Sequence, residues 1–217
     1  IDIFNIRFNT RNLFYVDSWD EINSECMKRG KRLQVYNSHN AVMFAQTGAM
    51  RFCTGWFFRT FGQNCAGQLF YHYNVIQGSP YTDLDGNEGD FCYVYPPRGE
   101  RKGGPAIDYE AMREGIDDLR YILTLEEAIQ TARNRGLKAD ADRAEKLLTS
   151  LKNSFDQKRF FEKSVFFNSF WEERKNGEDG RIYVSGEFNL PNGWKLSDYQ
   201  DAREKIADEI VRLKRLR

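Results

Sequence analysis

Gly67–Asn74 reads GQLFYHYN, a short, aromatic, nearly uncharged run. That is the composition of a strand buried on both faces. Gly67 lets the chain turn into it, and Gly78-Ser79-Pro80 closes the loop beyond it. Two further strand signals lie upstream. Ile1–Phe8 (IDIFNIRF) carries apolar residues on both parities, and Lys31–Ser38 (KRLQVYNS) has Leu33 and Val35 on one face with Tyr36 on the other. Helical segments separate the three. In the first, Ser18 and Glu21 form a capping box, Ile22, Cys26 and Met27 mark one face, and Gly30 ends the helix. The second, Ala41–Phe61, has a wide apolar face and a break expected near Gly55. Strand, helix, short turn and strand make a β-α-β unit, which builds parallel sheet. Three such strands fit either a barrel or an open doubly wound sheet.

Tyr81–Asp90 (YTDLDGNEGD) is a turn-rich polar loop. Its alternating Asp83, Asp85 and Asn87 resemble the start of a calcium loop, but the glycine is one position late and no closing glutamate follows, so an Asx-turn loop is the simpler reading. Phe91–Tyr95 is a further strand that Pro96-Pro97 stops. Beyond Pro105 the period changes to that of helices. Ala106–Ala132 carries Met112, Ile116, Leu119, Ile122 or Leu123 and Ile129. Asp140–Phe155 carries Ala144, Leu147, Leu148, Leu151 and Phe155. Leu196–Leu216 carries Tyr199, Ala202, Ile206, Ile210 and Leu213 behind a capping box at Ser197 and Gln200. The aromatic stretch Phe160–Trp171 is either a third helix or a helix end folding over the barrel. Together these predict a small antiparallel bundle.

Composition narrows the functional classes. Thirty-two basic and 32 acidic side chains give a formal charge of zero, so steering toward nucleic acid is not expected. No run is long and apolar enough for a membrane span. The four cysteines, Cys26, Cys53, Cys65 and Cys92, form no CxxC pair, and with two histidines no metal site or cofactor is expected. Free thiols and disulfides both stay open. Seventeen Phe and 11 Tyr are first a packing fact, though rings also cover the apolar faces of sugars.

If the strands belong to a barrel, their C-terminal ends carry the site. Those ends place Asn9 and Arg11, then Tyr36, Asn37 and His39, then Tyr73 and Asn74, a set of amides and rings suited to a neutral polyol. His72 falls on the opposite parity from Tyr73 and reads as a packing histidine. No carboxylate pair lies at these ends, although a glycosidase ordinarily needs one. Of Asp117 and Asp118, one is expected to pair with Arg113 and the other to act as an interface charge.

Two stretches, Arg51–Tyr73 and Gly89–Tyr121, together carry a resemblance. Arg51, Gly55 and Trp56, then Gly89, Asp90, Phe91, Tyr95 and Pro96, then Arg113, Gly115, Asp117, Asp118 and Tyr121 resemble the C-terminal part of the catalytic region of glycoside hydrolase family 123-like proteins and a related uncharacterised family. This chain has His72 where those proteins usually have Trp. The resemblance implies an α/β fold: the C-terminal part of a (β/α)8 TIM-like barrel over residues 1–104, followed by a small α-helical bundle over residues 105–217. It implies glycan hydrolysis by a parent protein, secreted or extracytoplasmic in setting, with the acid pair upstream on a fragment of the same protein that would complete the barrel. No catalytic residue can be assigned within this chain. With Trp56 added from the matched motif, the expected substrate-binding set is Tyr36, Asn37, His39, Trp56, Tyr73 and Asn74. The alternative is a non-catalytic carbohydrate-binding or interaction module.

Overall fold

The computed structural model describes residues 3–7, 19–37, 51–52, 54–60, 65–70, 74–76, 81, 90–155 and 194–216. Strand β1 (Ile3–Arg7) leads through helix α1 (Trp19–Lys28) to β2 (Arg32–Asn37). Gly30, at φ +63°, ends α1 in the left-handed conformation that suits glycine, and Lys31 N–H donates back to the Cys26 carbonyl at 2.8 Å. Helical turns at Arg51, Phe52 and Thr54 precede α2 (Trp56–Thr60), with the interruption at Gly55. Strand β3 (Cys65–Phe70) completes a parallel sheet of order β1-β2-β3.

After β3 the pattern changes. β4 (Asn74–Ile76) pairs antiparallel with β5 (Asp90–Cys92), and β6 (Val94–Tyr95) pairs antiparallel with β7 (Gly104–Pro105). Three long helices follow: α3 (Ile107–Asn134), α4 (Lys138–Asn153) and α5 (Leu196–Arg215). Gly136, at φ +80°, turns the chain between α3 and α4.

This architecture corrects the barrel expectation. A barrel strand pairs on both sides and passes by a helical crossover to the next parallel strand. Here the sheets do not close among the described residues, and the two ribbons after β3 are antiparallel. The run GQLFYHYN is not one strand either: β3 ends at Phe70, and Asn74 opens β4, where it pairs with Cys92. A continuous apolar aromatic run carries no mark of where its hydrogen-bond partner changes, so the break was invisible in sequence. The caps also differ. Asp198, not Ser197, caps α5, its carboxylate accepting the Lys195 N–H at 2.6 Å, and α3 starts after Ala106 with no side-chain cap.

Helical packing dominates the core. Ile122, Leu125, Ile129 and Ala132 of α3 meet Ala141, Ala144 and Leu148 of α4 and Tyr199, Ala202, Ile206, Ile210 and Leu213 of α5. The α5 set is the stripe its periodicity predicts. An aromatic cluster caps this core: Trp56 lies 5.4 Å from Phe155 and 5.3 Å from Trp194 between ring centroids, and Phe52 lies 4.9 Å from Phe155.

One polar network crosses the apolar packing. Arg51 binds Asp118 through two hydrogen bonds, Nε to Oδ2 at 2.6 Å and Nη2 to Oδ1 at 2.8 Å, both residues being buried. Arg203 of α5 donates to Asp118 Oδ1 at 2.7 Å, and also to the Glu114 carboxylate and carbonyl. The Tyr199 ring lies 5.2 Å from the Arg51 guanidinium. Two cations thus face two carboxylates. Beside them Gly55 and Gly115 meet so closely that a Cβ on Gly55 would overlap the Gly115 carbonyl, and one on Gly115 would overlap Thr54 Oγ1 and the Arg51 carbonyl oxygen. Asp117 takes the other expected role, pairing with Arg113 at 3.1 Å.

Removing one partner of a buried, bidentate pair leaves the other charge unpaired in low dielectric. Asp118→Ala is therefore expected to cost about 3–5 kcal/mol, read from the urea midpoint at constant slope; a loss below about 1 kcal/mol would contradict this role. Glu114 adds a pH dependence. Burial pushes its carboxyl up, but the Arg203, Arg113 and Arg51 guanidinium groups outweigh burial and hold it below its usual 4.5. Its contribution is complete above that value and fades as pH falls through the lowered one. Relative to Glu114→Gln, the wild-type midpoint is expected to lose its advantage only below pH 4.5.

Candidate functional site

The described residues line one sizeable, open-sided apolar cavity, about 580 Å³, between β3 and the outer face of α3. Its walls follow from two periodicities. Met112, Ile116, Leu119 and Leu123 recur at intervals of four, three and four, so they share one side of α3. This side differs from the Ile122, Leu125 and Ile129 side that the bundle covers. Across the cavity lie Cys65, Ala66, Gly67 and Gln68 of β3, with Thr54, Phe58 and Arg59 from the α2 region. Gly67 is a point of open space, since a Cβ there would meet nothing within 4 Å. Ile116 and Leu123 stay 43% and 45% exposed, large values for apolar side chains that line a concavity.

Polar groups are few. Both amide atoms of Gln68 and Arg59 Nε are enclosed and have no hydrogen-bond partner among the described residues. An enclosed amide without a partner costs on the order of 1–3 kcal/mol, and such groups tend to mark functional places. Arg59 pairs with Glu126 through Nη2, and Lys152 binds the other Glu126 oxygen at 2.9 Å. The Cys65 thiol is pushed up to about 12 by burial, which Arg32 only partly opposes, with Cys26 adding a small push upward. It remains a thiol at neutral pH and is no nucleophile. No carboxylate or histidine lines the cavity, and no cluster of metal-ligating side chains exists among the described residues.

Of the residues expected to bind substrate, the described ones lie on β2, β4 and α2. Tyr36 and Asn37 end β2, where they pair with Leu69 and Phe70. Asn74 belongs to the β4–β5 ribbon. Trp56 is 1% exposed, packed against Phe155 and Trp194 in the aromatic core. His39 and Tyr73 lie outside the described residues, as do His72, Asn9, Arg11 and the Asp83–Asn87 part of the suspected calcium loop.

No protein-family model, no curated protein and no solved structure matches this chain. The likeness to glycoside hydrolase family 123 is thereby corrected. It lacks a matching family model and a barrel to sit on, and no catalytic cleft appears among the described residues. Glycan hydrolysis and its alternative, glycan binding, lose their support with it. The motif residues that suggested the likeness have packing work here: Arg51 and Asp118 are ion partners, and Gly55 and Gly115 are the contact point of two backbones. No helix among the described residues is long and apolar enough to cross a membrane.

Sequence reading merged the two sides of α3 into one stripe and so missed the cavity. The available signal was an excess: Met112, Ile116, Leu119, Ile122, Leu123 and Ile129 exceed what one packed side of a helix holds. The thiol offers a direct check. A shift from 9.0 to about 12 lowers the thiolate fraction at pH 8 by about a thousandfold. Cys65 in the folded protein is expected to resist iodoacetamide at that pH and to react promptly in urea, followed by peptide mass spectrometry. Prompt labelling of the folded protein would show the thiol to be accessible and ionised.

Proposed function

We propose that this chain is a binding module whose β3–α3 cavity takes an apolar small molecule without transforming it. The observation that carries this reading is the pairing of exposed Ile116 and Leu123 with a concave apolar space of about 580 Å³. That volume falls in the range of small-molecule sites, which are mostly apolar with a few polar groups. The unpartnered Gln68 amide supports it, because a purely structural position would favour an apolar side chain there. The chemistry of the lining argues for binding over catalysis. Its thiol is protonated, its cation is held by a carboxylate, and neither a general base nor a metal-ligand set faces the space.

Nile red, a neutral apolar fluorophore, tests the reading. The wild-type protein is expected to bind it with an emission increase, and Ile116→Arg is expected to weaken binding at least tenfold. Gly67→Leu, which places a side chain where nothing now stands within 4 Å, should do the same. Circular dichroism and thermal melts report whether each variant remains folded. Equal binding by folded wild type and either folded variant would reject the cavity as the site.

A further inference from the structure

The cavity is asymmetric along its length. On α3 the apolar stripe runs from Met112 to Leu123, a rise of about 16 Å at about 1.5 Å per residue. Glu126 follows Leu123 by three residues and so continues the same side of the helix. There the apolar wall gives way to a charged group in which Arg59 and Lys152 share the single carboxylate of Glu126. Two cations on one anion leave an excess positive charge in that group. Arg59 is the only charged side chain lining the cavity among the described residues. Its Nη1 has no acceptor among the described residues, and its side chain is 31% exposed, so part of the guanidinium fork remains available.

On the reading that this cavity binds an apolar ligand, we propose that the ligand is an amphiphilic monocarboxylate, an alkyl-chain acid whose tail lies along Met112, Ile116, Leu119 and Leu123 and whose carboxylate pairs with Arg59. Charge complementarity selects the head group. A guanidinium presents planar donors that suit a carboxylate, and a ligand anion would balance the excess that Glu126 alone cannot. The length of the apolar stripe suits an extended, unbranched tail. The ligand binds through non-covalent contacts, and no bond is made or broken.

Decanoate and decan-1-ol differ in the head group while sharing the tail, and displacement of Nile red compares them. In wild type, decanoate is expected to displace the dye at a concentration at least tenfold lower than decan-1-ol. Added sodium chloride should weaken decanoate alone. Arg59→Met leaves Glu126 with Lys152 as its partner, and should abolish the preference for decanoate. Equal potency of the two in wild type overturns the proposal even if Arg59→Met fails to fold, and so does a preference that survives in folded Arg59→Met. Failure of the cavity reading is separate: dye binding would then be indifferent to Ile116→Arg before any competitor is added.

Discussion

Asp118 holds two arginines from two different parts of the chain, and the packing of the helices is arranged around that contact. Arg51 approaches from the turns before α2, and Arg203 from α5, while Asp118 itself sits on α3. Desolvating these groups is costly, and Coulomb attraction offsets the cost only when geometry is good and the remaining donors are used. Both conditions hold: the Arg51 contact is bidentate, and Arg203 fills its fork with Asp118 and Glu114. A slip of α5 by one turn would leave two cations and two carboxylates mismatched inside the protein. Such a network acts more on which arrangement is adopted than on total stability.

The glycine contact and the ion network are one device. Arg51 reaches Asp118 because the backbones at Gly55 and Gly115 come together without side chains between them. Thr54 fills the remaining space, its hydroxyl 3.3 Å from the Met112 carbonyl oxygen. The same approach has a second consequence. It fixes α3 against the α2 region on one side and leaves the Met112–Leu123 side facing β3 across a gap. The cavity therefore arises from where the helix is held, with its width set by a contact several residues away.

The three-stranded sheet and the bundle contribute unequally to the site. β3 supplies a floor of small residues, Ala66 and Gly67, whose lack of bulk leaves the space open. α3 supplies large apolar side chains that no described element covers fully. Charge is confined to the end marked by Arg59, Glu126 and Lys152. Apolar length with charge at one end is a binding geometry. Among the described residues that line it, none is a carboxylate, and the carboxylate pair that hydrolysis of a glycan requires is not formed there.

Local periodicity was enough to locate the parallel β1, β2 and β3 segments, the glycine stop at Gly30, the buried stripe of α5 and the division of labour between Asp117 and Asp118. Each of these depends on residues a few positions apart, whose geometry the backbone period dictates. The end of β3 at Phe70, the antiparallel partner of Asn74 and the openness of the sheet depend on hydrogen bonds between distant segments, and an aromatic run such as GQLFYHYN is compatible with several partners. Motif residues mislead for the same reason. Arg51, Gly55, Gly115 and Asp118 have spacing that suggests a catalytic family, yet only their meeting in space reveals an ion pair and a backbone contact. The cavity belongs wholly to tertiary structure, because a helix with apolar residues on two sides does not say which side another helix will cover.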